Sequence, residues 1–213
     1  MDELERLKKD WKAREGTLPR LTYNQIYEML WKRSSSVVKW IFIISIIEFV
    51  FWTALSLFMK DSGDMQRIKS YHAENIIIPL TVAGYAVLFY FMYRFFVNYR
   101  KISVTDNART LMENILRTRR SVKRYVWFNI IYFIIISIVV AVLQLNYDEK
   151  IAGIIREKSL EGSTLYFYAA FIGVVILMVT VVSVLLWMFY RLIYGFLLRK
   201  LRKNYNELRQ IEV

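Results

Sequence analysis

Four long runs of apolar residues alternate with polar, charged segments along this 213-residue chain. A hydrocarbon core of roughly 30 Å needs about 20 apolar helical residues to cross it, and all four runs meet that length. They cover Val37 to Met59, Ile76 to Val97, Tyr125 to Leu145 and Leu165 to Tyr190. The first contains one interior charge, Glu48, and the third and fourth contain none. The pattern predicts an all-α, polytopic membrane protein whose four transmembrane helices form two hairpins, with amphipathic helices on the cytoplasmic side.

Periodicity in the polar segments predicts those further helices. In the first fifteen residues Leu4, Leu7 and Trp11 recur at spacings of three and four, which places them on one face of a charged helix. Gly16 and Pro19 end it. Thr22 followed by Gln25 fits a capping box, opening a second helix that leads into span one. In the middle segment Thr105 or Asp106 can cap a helix whose Ala108, Leu111, Met112, Ile115 and Leu116 form another stripe. Stripes on the same side of the membrane can bury against each other, against another protein or on the membrane surface. Leu4, Leu7, Trp11, Leu111, Met112 and Ile115 are accordingly the candidate partner surface. The organisation expected is residues 1–36 as cytoplasmic amphipathic helices, 37–97 and 125–190 as transmembrane hairpins, 98–124 as a basic amphipathic helix, and 191–213 as a cytoplasmic tail.

Charge sets the orientation. Of the 30 Lys and Arg, 24 lie in residues 1–39, 94–124 and 191–213, and the connections between spans one and two and between three and four hold three each. Flanks rich in Lys and Arg stay inside, so both termini and the middle connection are expected in the cytoplasm of a bacterial inner membrane. Most of the +12 formal charge is explained by that bias. Arg117, Arg119, Arg120, Lys123 and Arg124 crowd the approach to span three, where each can gain about 1 kcal/mol from anionic headgroups. Membrane lipid, not nucleic acid, is the anionic partner this placement implies. Span one, preceded by 36 mostly polar residues, reads as a signal anchor and not as a cleaved signal peptide.

Several chemistries are excluded. The chain has no cysteine, hence no disulfide, thiolate metal site or iron–sulfur cluster. A single histidine, His72, cannot build a bis-histidine haem, a zinc triad or a Ser/His protease. No Gly-rich phosphate loop or nucleophile elbow is present. Asp61 and Asp64 make a D-x-x-D spacing without the second acidic cluster a magnesium-dependent lipid enzyme needs. No metal, cofactor or catalytic group is expected, and the chain reads as a non-enzyme.

Glu48 is the most pointed residue. It lies about 14 Å along the helix from Lys39, and a carboxylate at such depth must face the bundle interior and be neutral or hydrogen-bonded. Ser45, Trp52 and Ser56 share its helix face; matching by depth selects Tyr85, Ser137, Thr180 and Ser183 on other spans. Glu48, Ser45, Tyr85 and Thr180 therefore form the candidate intramembrane polar site, serving either to join helices or to carry a proton or cation. Gly84, and Ala169 with Gly173, are expected to permit close helix approach. Glu28 to Trp40 aligned with Glu113 to Tyr125, and the similar endings Met92-Tyr93-Arg94 and Phe189-Tyr190-Arg191, predict a duplicated hairpin.

The stretches Leu7 to Lys12 (LKKDWK) and Leu18 to Phe49 resemble uncharacterised short four-span proteins of Bacteroidota. Some such proteins carry a carotenoid-cleaving oxygenase label, which does not suit this chain, because those enzymes hold iron with several histidines. The LKKDWK beginning is also similar to the start of membrane-bound anti-sigma proteins. Two function classes follow. One is a non-enzymatic membrane regulator or scaffold holding a cytoplasmic or membrane protein partner. The other is a small proton-coupled transporter or channel subunit using Glu48, the layout of small multidrug resistance transporters. A homo-oligomer is compatible with both.

Overall fold

The computed structural model describes residues 5–9, 22–58, 73–103 and 107–212, the side chains as far as residue 210. Among them there is no strand. Residues 5–9 form a short helical stretch, and five helices follow: α1 (Tyr23–Phe58), α2 (Glu74–Ser103), α3 (Ala108–Tyr147), α4 (Glu149–Leu160) and α5 (Thr164–Glu212). Four of them, α1, α2, α3 and α5, are long and apolar enough to cross a membrane. Leu4, Trp11, Gly16, Pro19, Asp61, Asp64, His72, Thr105 and Asp106 lie outside the described residues.

Two of the predicted amphipathic segments turn out to be continuations of spans; the first, over residues 1–15, lies mostly outside the described residues. Residues 23–36 and span one form one 36-residue helix, and residues 108–124 and span three form one of 40. The last span runs without a break into the basic tail, giving 49 residues, about 74 Å at 1.5 Å per residue. The capping box opens α1 as expected: Thr22 N–H donates to Gln25 Oε1 at 2.9 Å, and Gln25 N–H to Thr22 Oγ1 at 3.4 Å. For α3 the cap is Asn107, one position beyond the expected pair, its Oδ1 accepting from Thr110 N–H at 2.8 Å.

The helices pack as a ring in the order α1, α2, α3, α5, each against its two neighbours. Fully buried side chains gather at the basic end of the bundle. They include Val38 and Ile41 of α1, Phe95 and Ile102 of α2, Leu111, Ile115 and Val122 of α3, and Tyr194, Leu201 and Leu208 of α5. By contrast, residues 165–189 of α5 include no buried position. Burial in water is driven by the hydrophobic effect, which vanishes between helices already surrounded by hydrocarbon. Dense packing where the sequence is charged, and open packing where it is apolar, is the distribution that contrast produces.

Polar groups inside the packed end join one helix to the next. Trp31 Nε1 donates to the Ile102 carbonyl at 2.7 Å, tying α1 to the end of α2. Asn98 Nδ2 reaches Ser121 Oγ at 3.4 Å between α2 and α3, and Asn204 Nδ2 reaches Ser34 Oγ at 3.0 Å between α5 and α1. Burying such groups is tolerated only when they are paired, so these bonds fix which residues meet.

The burial pattern repeats between the hairpins. Leu30, Ser34, Val37, Val38 and Ile41 of α1 correspond in order and spacing to Asn114, Thr118, Ser121, Val122 and Tyr125 of α3. Phe91, Phe95, Asn98 and Ile102 of α2 likewise correspond to Tyr190, Tyr194, Leu197 and Leu201 of α5. This register differs by one residue from the alignment of Glu28 with Glu113, and by two from that of Tyr93 with Tyr190. Those matches followed the composition of the span boundaries; the core follows inward-facing positions.

At the opposite end, α4 occupies a connection that carried no helix prediction. Asp148 caps it, its Oδ1 accepting from Lys150 N–H at 2.9 Å and Ile151 N–H at 3.3 Å. Gly162 follows the helix end in the left-handed region, φ 71°, where a side chain would be strained. Asp148 before Glu149 and Gly162 beyond Leu160 are the start and stop signals that could have revealed it.

Candidate functional site

Glu48 lies on the inward face of α1 and is 8% exposed. Two of its partners come from α5, where Tyr190 and Tyr194 are one helical turn apart and so point the same way. Tyr190 OH donates to Glu48 Oε1, and Tyr194 OH to Glu48 Oε2 at 3.2 Å. Both carboxyl oxygens are thus engaged by neutral hydroxyls, which satisfies a buried acid without a cation.

Aromatic rings close around this pair. Tyr190 and Tyr194 stack with centroids 6.0 Å apart, and Tyr125 of α3 meets their edges at 6.3 and 6.0 Å. Phe91 and Phe95 of α2 in turn meet Tyr125 edge-on at 5.5 and 5.4 Å. All four long helices therefore contribute to one plug, with the single carboxyl at its centre. Tyr125 follows Arg124 and Tyr190 precedes Arg191, so the plug sits level with the innermost cations, nearer the basic end than counting from Lys39 implied.

Beyond the plug, toward the connections, is a cavity of about 270 Å³ between the helices. Its walls include Trp52, Gly84, Tyr85, Tyr132, Leu186 and Tyr190. Two of the polar groups there are turned to protein: Asn129 Nδ2 donates to the Tyr125 carbonyl at 2.9 Å, and Tyr132 OH to the Leu80 carbonyl at 3.0 Å. Gly84 is essential to this wall. A Cβ built on it would overlap the hydroxyl and ring carbons of Tyr132, so α2 and α3 meet here because the side chain is a hydrogen atom. Gly173 has open space at the same point and makes no such contact.

Of the four residues expected to form the polar site, the structure brings together two. Ser45 is buried one turn below Glu48, its Oγ donating to the Phe42 carbonyl at 2.7 Å within its own helix. Tyr85 instead lines the cavity and packs edge-on to Phe49 at 5.8 Å. Thr180 and Ser183 line a different groove, between α3 and α5. Ser137 Oγ bonds the Phe133 carbonyl of its own helix at 2.8 Å. Depth matching fails because it sets the cation boundary of every span in one plane, which leaves Tyr190 at the end of span four and Tyr194 in the tail. Their spacing of four on an otherwise apolar face was the signal available.

The partner surface also needs correction. Leu111 and Ile115 are wholly buried, and Met112 packs against them, so this stripe is filled by the chain's own helices. Leu7, on the stretch 5–9, is 69% exposed. On the same length of α3, Arg117, Arg120, Lys123 and Arg124 are exposed, and Arg119 is half-buried. Among the described residues, no three His, Cys, Asp or Glu side chains converge as metal ligands.

These features define a four-helix polytopic membrane bundle with a packed basic end and a carboxyl–tyrosine plug. The chain belongs to the family described as a domain of unknown function, DUF8845, whose model matches residues 24–213. No curated protein and no solved structure matches it.

Proposed function

We propose that this protein is a non-enzymatic scaffold or regulator of the bacterial inner membrane, with both termini in the cytoplasm, of the kind resembled among Bacteroidota. The observation that carries the reading is the continuation of all four long helices past their apolar lengths into one packed, cationic bundle. Transmembrane anchoring alone needs no such extension. The stripe first considered for a partner is spent on that core, so the docking face is the exposed charged side, and the partner it fits is an acidic protein segment. Arg109, Arg202 and Arg209 are exposed there. Changing all three to Glu should abolish recovery of a stoichiometric partner from native membranes in mild detergent, while the protein stays in the membrane. Unchanged recovery with the triple variant, or a clean protein without partners from the unaltered chain, would overturn the proposal.

A second reading, a small proton-coupled transporter or channel subunit using Glu48, is supported by the cavity adjoining the plug. Under it, Glu48→Gln abolishes a pH-driven flux in reconstituted vesicles. Equal flux from the two proteins would exclude it.

A further inference from the structure

A second hollow, of about 480 Å³, runs between α3 and α5. Its sides are mostly apolar, with Thr180 and Ser183 the only hydroxyls among the lining residues: Ile134 and Ile138 of α3 face Val175 and Val179 of α5, and the tryptophans Trp127 and Trp187 stand at its basic end. Paired tryptophans of this kind favour the boundary between hydrocarbon and headgroups. The same two helix faces continue past them as cations. Lys123 and Arg120 precede Trp127 by four and seven residues, which keeps them on its face of α3. Arg191 follows Trp187 by one turn, its guanidinium 4.9 Å from the indole centroid. All three cations are exposed. The nearest acids on these helices, Glu113 and Glu207, are at least seven residues farther along, and none of the ion pairs among the described residues involves these three cations.

An apolar trough, a pair of tryptophans at its basic end and three exposed cations beyond them are complementary to an anionic lipid. We propose that the α3–α5 groove binds one anionic phospholipid, an acyl chain lying along Ile134, Ile138, Val175 and Val179 and the phosphate held by Arg120, Lys123 and Arg191. The site rests on the long helices crossing a bilayer and is independent of any protein partner. It differs from diffuse attraction to the whole basic end in requiring both the trough and these particular charges.

Native mass spectrometry of the full chain in mild detergent, titrated with phosphatidylglycerol or phosphatidylcholine of the same acyl chains, tests it. The unaltered protein should retain one phosphatidylglycerol in preference to phosphatidylcholine. Replacing Arg120, Lys123 and Arg191 together by Gln should weaken phosphatidylglycerol on the order of a hundredfold and erase the preference. Val179→Trp, which fills the trough and leaves the cations, should weaken both lipids. A control triple, Lys39, Arg94 and Arg100 to Gln, should bind as the unaltered chain does. Circular dichroism melting confirms that each variant is folded. Undiminished binding by the first triple, or an equal loss in the control triple, would overturn the site and leave only general charge attraction.

Discussion

Removing one hydroxyl from the plug tests its energetics directly. Tyr190→Phe keeps the ring, and with it the contacts to Tyr125 and Tyr194, but takes away the donor to Glu48 Oε1. Leaving a buried acceptor unsatisfied costs about 1–3 kcal/mol. For a chain of this size each kcal/mol moves the melting midpoint by about 2–4 °C, so a fall of roughly 2–12 °C is expected. Glu48→Leu removes the acceptor and strands two hydroxyls, with a loss of the same order. In the triple variant Glu48→Leu, Tyr190→Phe, Tyr194→Phe both hydroxyl donors go with their acceptor, and its stability should recover part of the loss. The assay is thermal unfolding in one detergent, followed by tryptophan fluorescence and by the fraction remaining monodisperse. Additive losses, with a coupling between Glu48 and Tyr190 below about 0.5 kcal/mol, would show that these side chains do not act on each other and refute the plug.

Further outcomes follow from other contacts. Gly84→Val should destabilise the bundle by about 1–3 kcal/mol through overpacking against Tyr132, and Tyr132→Ala in the same chain should recover part of the loss in the same melting assay. Leu111→Asp places a carboxylate in a wholly buried site, and should abolish recovery of monodisperse protein, whereas Leu192→Asp, at an exposed position near the same end, should not abolish it. Beside the turn after α4, Lys158 Nζ donates to Glu161 at 2.7 Å, and its hydrogen bond and charge hold the Glu161 carboxyl below its ordinary range. Because the folded value is depressed, the pair's stabilisation is present above the ordinary carboxyl range and is lost as pH falls through the folded value. Lys158→Ala should raise the Glu161 titration midpoint by carbon-detected NMR; an unmoved midpoint would show that the pair does not form in solution.

The four spans were legible because each is long enough to cross hydrocarbon, a requirement that sequence length alone exposes. The Thr22–Gln25 box was legible because both partners are local. Continuity was not: a charged amphipathic run and an apolar run look like separate elements, although nothing between Thr22 and Phe58 breaks the helix. The inward turn of Glu48 followed from the cost of burying a carboxyl. Its partners did not, because Tyr190 and Tyr194 lie more than 140 positions away and their placement depends on the axial stagger of α5 against α1. The stripe of Leu111 and Ile115 was recognised as apolar and packable, but periodicity says only that a face seeks cover. What covers it is a property of the assembled bundle.

The length of α5 has a mechanical side. Fastened to α1 at Tyr190, Tyr194 and Asn204, and with Leu201 and Leu208 wholly buried, its basic half is clamped, whereas residues 165–189 include no buried position. The helix is therefore a cantilever, and its arm among the apolar lengths, residues 165–189, is about 36 Å long. A change in bilayer thickness met by a tilt of about 10° in that arm moves its tip sideways by about 6 Å while the clamped end keeps its packing.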